Sequence, residues 1–368
     1  MFMFPFFSYI HRTSFIIFFF LFFQFSLATN LLDSLTELTV PNATWHGFIR
    51  FLDAGKGSQL DGMAELKNYF RRFGYLPLPP ENTTFTDLFD EEFENAVLSY
   101  QKNLGLTETG KLDYDTMEVI VSPRCGVGDT ITYDADHQIK MTRHFAYFTG
   151  EPRWIRPPPM TLTYAFSPTN TIDYVSPSDV RVAFGRAFAR WSAVIPVNFT
   201  ETTDYLTADI RIGWYGGDHG DGEAFDGVLG VLAHAFSPEN GWFHLDSAER
   251  WAVDFEAEKS RAAVDLESVA THEIGHLLGM AHSSVKNAIM YPSLSPRTKK
   301  VDLKIDDVEG IQALYGSNPN YKYEDSGLRS DMSSGCGLNN LERRKRIFLK
   351  WSCATSVVMV VYMFSLGF

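Results

Sequence analysis

Residues 272–282 have the sequence HEIGHLLGMAH, which follows the pattern HExxHxxGxxH. His272 and His276 are one helical turn apart, so on a helix they lie on one face and can bind the same metal ion. Gly279 can adopt a backbone conformation that other residues resist, which ends the helix and turns the chain. We therefore expect His282 to return towards the helix as the third ligand.

Three neutral imidazoles form an open tetrahedral zinc site whose fourth position is left for water. Glu273 points at that position and can take the proton of the water as a general base. Bare HExxH occurs by chance in many helices, but here the extended pattern is followed by Met290 in the sequence AIMYP at 288–292. This combination is typical of the metzincins, which are zinc endopeptidases. The alternative is a purely structural role for these residues.

Length and charge limit the possible functions. The chain has 368 residues, enough for two modest domains, and its formal net charge is −13. Because phosphate backbones repel an acidic protein, we expect no nucleic-acid partner.

The N-terminus has the features of a secretory signal. His11 and Arg12 precede an apolar run at 15–25, and small residues at 26 and 28 suit a cleavage site. We predict a signal peptide over residues 1–28, which implies a secreted protein. The alternative is a retained signal anchor.

The C-terminus has the features of a glycosylphosphatidylinositol (GPI) attachment signal over residues 336–368. Small residues at 333–335 are followed by a polar, basic spacer and by an apolar tail at 353–368 that ends the chain. We place the attachment at Ser334. The tail is shorter than the roughly 20 residues of a bilayer span, but a transmembrane tail anchor remains the alternative.

Cysteines and sequons are consistent with secretion. The only cysteines are Cys125, Cys336 and Cys353, so the region that contains the zinc motif has no disulfide. Metal ions are expected to replace disulfides as cross-links there. Glycosylation sequons begin at Asn42, Asn82 and Asn198.

Periodicity divides the chain into two regions. Apolar residues at helical spacing predict a small three-helix bundle within residues 29–140, with helices at 60–73, 87–104 and 113–121. Residues 150–316 mix strands with helices. Strands are predicted at 161–166, 197–201 and 208–214, and helices from Pro177, at 265–278 and at 305–314. Ser176 is the predicted cap of the helix at Pro177. The polar residues 317–335 are predicted to form a linker.

Two further groups of residues suit metal ions. His219, His234 and His244, with Asp221, provide four nitrogen or oxygen ligands, as in a closed, structural zinc site. Scattered surface histidines are the alternative. Hard carboxylates at Asp226, Asp246 and Glu249, in a glycine-rich segment, are what Ca²⁺ needs, although surface loops are often acidic without binding a metal.

With these motifs in place, residues 40–316 resemble a matrixin, or matrix metalloproteinase. The resemblance is strongest to the plant members, which lack a haemopexin domain. It is carried by PRCGVGD at 123–129, HGD at 219–221, FDG at 225–227, LAHA at 232–235, HLD at 244–246 with Glu249, the zinc motif, and DDVEGIQALYG at 306–316.

The resemblance implies an α+β, metzincin-type catalytic domain, with a twisted five-stranded sheet and three helices. It implies that His272, His276 and His282 bind catalytic zinc, that Glu273 is the general base, and that Met290 forms an apolar floor. It also implies a second Zn²⁺ on His219, Asp221, His234 and His244. Ca²⁺ would be bound by Asp226, Asp246 and Glu249, with the carbonyls of Gly227, Leu229 and Val231.

The resemblance also implies that Cys125 is the cysteine switch. Its thiolate would take the position of the water on zinc and keep the precursor inactive. The helical bundle is then a propeptide. Three departures from the family pattern stand out. Gly128 replaces a proline, which predicts weaker latency, and Leu294 stands where a tyrosine is common, beside the S1′ pocket. Trp242 stands where a calcium-binding aspartate is often found, which argues against a second Ca²⁺ site at Asp209.

These observations predict a monomeric zinc endopeptidase made as a zymogen, at the outer face of the plasma membrane and in the extracellular matrix. Its substrates are extracellular proteins or peptides with an apolar P1′ residue, bound as an extended strand along an edge strand near Ala233. The alternative is a catalytically inactive surface binding protein whose bundle, which resembles peptidoglycan-binding domains, is the binding module. The presence of Glu273 distinguishes the two, because a binding protein does not need it.

Overall fold

The computed structural model of the protein describes residues 43–81, 83–129 and 145–322. Several sequence predictions lie outside these residues, namely the signal peptide, the GPI signal and the positions Asn42, Asn82, Ser334, Cys336 and Cys353. Within the described ranges, no helix combines the length and the apolar character needed to cross a membrane.

The N-terminal region (residues 43–129) contains the predicted three-helix bundle. A 3₁₀ helix at His46–Phe51 precedes α1 (Met63–Arg72), α2 (Glu91–Asn103) and α3 (Tyr114–Ile120). The buried aromatic rings of the bundle pack closely, and the centroid of the Phe70 ring lies 4.9 Å from that of Phe93 and 5.0 Å from that of Tyr100. Aromatic side chains thus provide much of the core of this small bundle.

The second helix begins later than predicted, at Glu91 and not at residue 87. Asp90 ends the preceding loop, and its carboxylate accepts a hydrogen bond from Phe93 N at 2.9 Å, which is an N-cap. Asp87 instead accepts a hydrogen bond from Ala64 N at 2.9 Å, so it stabilises the start of α1. Apolar periodicity could not separate these two roles.

The C-terminal region (residues 145–322) contains the predicted sheet of five strands, to which the N-terminal region adds a sixth. The strands are β1 (Arg124–Cys125), β2 (Met160–Phe166), β3 (Val197–Glu201), β4 (Ile210–Tyr215), β5 (Val231–Ala235) and β6 (Trp242–Asp246). Their order is β1-β5-β6-β4-β2-β3, and only β5 and β6 are antiparallel. Two short strands, β7 (Arg250–Ala252) and β8 (Ala263–Asp265), form a separate sheet.

Three helices complete this region, as predicted: α4 (Pro177–Val194), α5 (Leu266–Leu277) and α6 (Ile305–Tyr315). Ser176 caps α4 by accepting a hydrogen bond from Asp179 N at 3.1 Å. The buried side chain of Trp191 on α4 donates from Nε1 to Thr271 O on α5 at 2.9 Å. This contact fixes the helix that carries the zinc motif against the helix that covers the sheet.

Candidate active site and metal centres

The zinc motif turns back on itself as predicted. α5 ends at Leu277, and Gly279 follows with a φ of 105°. A Cβ atom at Gly279 would lie 2.1 Å from Pro152 O. Both the backbone conformation and the space therefore require glycine here, and the turn brings His282 back to the helix.

The three histidines and Cys125 converge on one point. His276 Nε2 lies 3.1 Å from His272 Nε2, 3.2 Å from His282 Nε2 and 3.4 Å from Cys125 Sγ. All four candidate ligand atoms lie within 4.8 Å of one another. Because zinc–nitrogen bonds of about 2.0–2.1 Å place tetrahedral ligands roughly 3.3 Å apart, the donor set fits Zn²⁺.

Hydrogen bonds at the second ring nitrogens orient these ligands. His272 Nδ1 lies 2.7 Å from Ile289 O, and His276 Nδ1 lies 2.8 Å from Met280 O. A carbonyl can only accept, so each Nδ1 carries the proton and each Nε2 keeps its lone pair for a metal. Burial and the neighbouring imidazoles hold the pKa values of both rings well below the usual value, which favours the neutral, ligating form.

Glu273 is completely buried beside these ligands. Burial raises its pKa to about 8, and the nearby thiol of Cys125 opposes the rise. A carboxyl group with its pKa close to neutral can both accept and donate a proton near physiological pH. A bound divalent cation would lower this pKa by its own charge.

Met290 lies directly beneath the zinc helix. It is fully buried, and a Cβ atom at Gly275 would lie 2.3 Å from its Sδ. Asp307 on α6, which had no predicted role, accepts hydrogen bonds from Ile289 N at 2.8 Å and Met290 N at 3.0 Å. The Met-turn therefore links α6 to the zinc helix.

A segment of the N-terminal region lies in the cleft between β5 and the chain that follows the Met-turn. On one side Arg124 N donates to Gly230 O at 3.0 Å, and Gly126 N donates to Ala233 O at 2.8 Å. On the other side Cys125 N donates to Pro292 O at 2.9 Å, and Leu294 N donates to Pro123 O at 3.1 Å. The edge of β5 near Ala233, where a substrate strand was predicted, is thus covered by β1.

A buried ion pair that sequence reasoning missed holds this segment in place. The Arg124 guanidinium forms a two-pronged ion pair with Asp129, with 3.0 Å between Nη1 and Oδ2. The Arg124 Cζ lies 3.7 Å from the Phe73 ring centroid, and Tyr75 donates to Asp129 at 2.8 Å. Although burial opposes it, Arg124 and His282 hold the pKa of Asp129 well below the usual value. Both ends of the pair were visible in the PRCGVGD sequence, but their pairing was not.

The four residues predicted to form a second zinc site also converge. Asp221 Oδ2 lies 2.7 Å from His219 Nε2, 2.8 Å from His234 Nε2 and 2.7 Å from His244 Nδ1. The candidate ligand atoms of all four lie within 4.8 Å of one another. β5 and β6 supply two of the histidines as directly paired neighbours, His234 opposite His244. Two imidazoles on adjacent strands, completed by a loop, suit a closed site.

The predicted calcium ligands surround the loop at 226–231. Asp246 and Glu249 are buried, and Glu249 Oε2 has no hydrogen-bond partner among the described residues. Burial raises the pKa of Glu249 to about 9, and the charges of Asp246 and Asp226 add to the rise. Carboxyl groups whose charges disfavour one another's ionisation suit a divalent cation, and oxygen donors suit Ca²⁺.

The carbonyls predicted to join them belong to Gly227, Leu229 and Val231. The amides of the first two donate to the carboxylates, from Gly227 N to Asp246 at 3.3 Å and from Leu229 N to Glu249 at 2.7 Å. The loop and the carboxylates are therefore held together.

Asn198, the only predicted glycosylation site that lies in the described residues, is exposed on β3.

Comparison with known proteins gives the family context. The family model described as Matrixin matches residues 153–316, and that of a putative peptidoglycan binding domain matches residues 59–120. Metalloendoproteinase 1-MMP of Arabidopsis thaliana is 54% identical over 286 residues, which are 77% of this chain and 77% of the relative. Metalloendoproteinase 4-MMP of the same plant is 57% identical over 257 residues, 70% of this chain and 73% of the relative. Metalloendoproteinase 1 of Glycine max is 44% identical over 273 residues, 73% and 87% of the two chains.

Proposed function

The chain belongs to the matrixin family and is a zinc metalloendopeptidase, and from that premise we propose that it is a secreted, membrane-tethered enzyme made as a cysteine-switch zymogen. The observation that carries this proposal is the convergence of His272, His276, His282 and Cys125 on one point, with Glu273 buried beside them. The N-terminal region is then the propeptide, and residues 150–316 form the catalytic domain.

In the proposed reaction, His272, His276 and His282 would hold Zn²⁺, which would supply a Lewis acid for the scissile carbonyl and the attacking water. Glu273 accepts the proton of that water and delivers it to the leaving amine. The free backbone groups of β5 and of the chain at 292–294 align the substrate as an extended strand. Met290 supports the histidines from below.

Latency is proposed to depend on Cys125. Its thiol lies 3.4 Å from His276 Nε2, where it would be the fourth ligand of the metal, and a bound zinc ion deprotonates a coordinating thiol. Substrate is excluded as well, because the propeptide strand makes the backbone hydrogen bonds that a substrate needs. The loop that contains Gly128 is held by contacts among Arg124, Asp129, Phe73 and Tyr75. These contacts offset the backbone freedom that glycine gives the loop.

We assign a second, structural Zn²⁺ to His219, Asp221, His234 and His244, and Ca²⁺ to Asp226, Asp246 and Glu249 with the nearby loop carbonyls. Both groups combine residues of β5 and β6 with residues of the loops that flank these strands. Metal ions at these places would brace the edge of the cleft, in a domain without disulfides.

Tethering through a GPI anchor at Ser334 is proposed from the sequence. Treatment of intact cells with phosphatidylinositol-specific phospholipase C is expected to release the enzyme into the medium. Retention on the cells, together with a mass that includes residues 353–368, would instead support a transmembrane tail.

The proposed function is tested with the activated enzyme and a set of quenched fluorescent peptides. We expect endopeptidase activity that a chelator abolishes and Zn²⁺ restores. A zinc-loaded, folded enzyme whose propeptide has been removed and that cleaves neither peptides nor unfolded proteins would support the inactive binding protein instead.

A further inference from the structure

A cavity lies next to the proposed catalytic residues. His272, Glu273 and Cys125 line one part of it, and the walls beyond are formed by Leu232, Val269 and Leu294. In the precursor it measures about 20 Å³, room for roughly one water molecule. Because Cys125 belongs to the propeptide, its departure opens the cavity on that side. A substrate side chain that follows the scissile bond could then enter between the zinc helix and the chain after the Met-turn.

One wall of this mostly apolar cavity carries a cation, Lys300. Its backbone N donates to Ser268 Oγ at 2.8 Å, and Ser268 precedes His272 by one turn of α5. Its ammonium lies 5.6 Å from the ring centroid of Tyr291, which also lines the cavity. Lys300 is therefore fixed at the part of the cavity that lies one helical turn away from the metal ligands.

The ammonium of Lys300 lacks the counter-ion that its neighbour has. Lys299 pairs with Glu267 at 3.0 Å and with Asp265 at 3.5 Å. For Lys300, no carboxylate in the described parts of the chain lies within the 4.0 Å of an ion pair. Burial lowers its pKa to about 8, while the more distant Asp307 carboxylate opposes the fall. Lys300 is only half-buried, and its side chain is still mainly charged at neutral pH, beside the apolar part of the cavity wall.

We propose that Lys300 determines the specificity of the primed side of the cleft, by selecting P1′ side chains that carry a hydrogen-bond acceptor at the end of a short aliphatic stem. Glutamate and glutamine have this form. The inference rests on the proposed function of the site and replaces the expectation of a purely apolar P1′ residue.

The physical reason is the cost of an unsatisfied charge. An apolar P1′ side chain would remove water from the ammonium and give it no partner, which is unfavourable. A glutamate carboxylate would instead form a charge-assisted hydrogen bond, and its two methylenes would contact Val269 and Leu294. Sites built around such a polar group discriminate strongly against analogues that lack the matching group.

The test uses activated enzyme and four quenched peptides that differ only in having Leu, Met, Gln or Glu at P1′. We expect the ratio of kcat/KM for the Glu peptide to that for the Leu peptide to fall by about tenfold or more in Lys300→Met, which keeps the length but loses the charge. The matched control is Lys299→Met, one residue away, for which the ratio should be unchanged. Lys300→Arg, which keeps the charge, should keep a ratio well above that of Lys300→Met.

An equal ratio in wild type and Lys300→Met would overturn the inference and leave the proposed function intact, since the Leu peptide is still cleaved. If Lys300→Met does not fold, wild type and Lys300→Arg are tested instead with the same four peptides. The inference is contradicted if either of these two enzymes cleaves only the Leu and Met peptides. Wild-type enzyme that cleaves none of the four peptides would contradict the proposed function itself.

Discussion

The Asp129 carboxylate and the His282 ring are joined by a hydrogen bond, with 2.8 Å between Oδ1 and Nδ1. Asp129 belongs to the proposed propeptide and His282 to the zinc motif. The same carboxylate neutralises Arg124, which immediately precedes Cys125. One acidic side chain thus connects the switch segment to a proposed metal ligand, and outer partners of this kind orient ligating histidines.

Replacement of Asp129 is expected to weaken latency. Both members of the Arg124–Asp129 pair are almost completely buried, and removal of one partner from a buried pair costs about 3–5 kcal/mol. Asp129→Asn should therefore shift the precursor towards the open form by roughly 10²-fold or more. The shift is measured as faster alkylation of Cys125 and higher basal peptide hydrolysis.

The control is the double variant Arg124→Met with Asp129→Asn, which leaves no uncompensated charge. It should be less open than Asp129→Asn alone. Alkylation of Cys125 at the wild-type rate in Asp129→Asn would show that the pair does not hold the switch.

Replacement of Glu273 tests the general base. Glu273→Gln keeps the shape of the side chain and removes its basicity, so peptide hydrolysis by the activated enzyme should fall by at least about 10²-fold. Zinc content, measured in the same samples, should not change. Hydrolysis close to the wild-type rate with full zinc content would rule out this role.

The second zinc site is tested by His234→Ala in the folded enzyme. We expect the bound zinc to fall from two ions per chain to one, because a closed site that loses a ligand binds much more weakly. The lost metal should also lower the Tm by more than about 4 °C, since 1 kcal/mol corresponds to about 2–4 °C in a domain of this size. Two zinc ions per chain in the variant would contradict the assignment.

The proposed calcium site is expected to be coupled to the propeptide. Arg72 on α1 lies 3.3 Å from Asp226 Oδ2 and donates to Ala224 O at 2.6 Å, so its positive charge competes with Ca²⁺ for the same carboxylate. Arg72→Met should therefore strengthen calcium binding by the precursor by about 5-fold or more. Calorimetric titration of the precursor measures this affinity.

Arg71→Met is the matched control, because Arg71 is the exposed neighbour on the same helix. Calcium affinity should be unchanged in that variant, and neither substitution should matter once the propeptide is removed. Equal affinities for wild type and Arg72→Met would show that Arg72 does not oppose calcium.

The elements that could be predicted from the sequence are those whose determining interactions are local. The strand Val197–Glu201 and the start of α4 at Pro177 have their predicted bounds, because alternation and a cap act within a few residues. The zinc helix and the turn at Gly279 follow from spacing and backbone conformation in the same way.

The remaining features depend on contacts between distant parts of the chain. β1 is only two residues long, and it is a strand because β5 pairs with it. Asp129 and Asp307 act on His282 and the Met-turn across long sequence separations, and no local pattern distinguishes them from other acidic residues. Lys300 likewise gains its surroundings only when the chain after the Met-turn folds back against α5.

The cysteine switch is tested most directly by hydrolysis of a quenched fluorescent peptide by the uncleaved precursor, compared between wild type and Cys125→Ser. A serine hydroxyl is a far poorer zinc ligand than a thiolate, so we predict an inactive wild-type precursor and an active Cys125→Ser precursor of the same full length. A Cys125→Ser precursor that is as inactive as wild type, yet becomes fully active once the propeptide is removed, would contradict the cysteine switch and leave coverage of the β5 edge as the cause of latency.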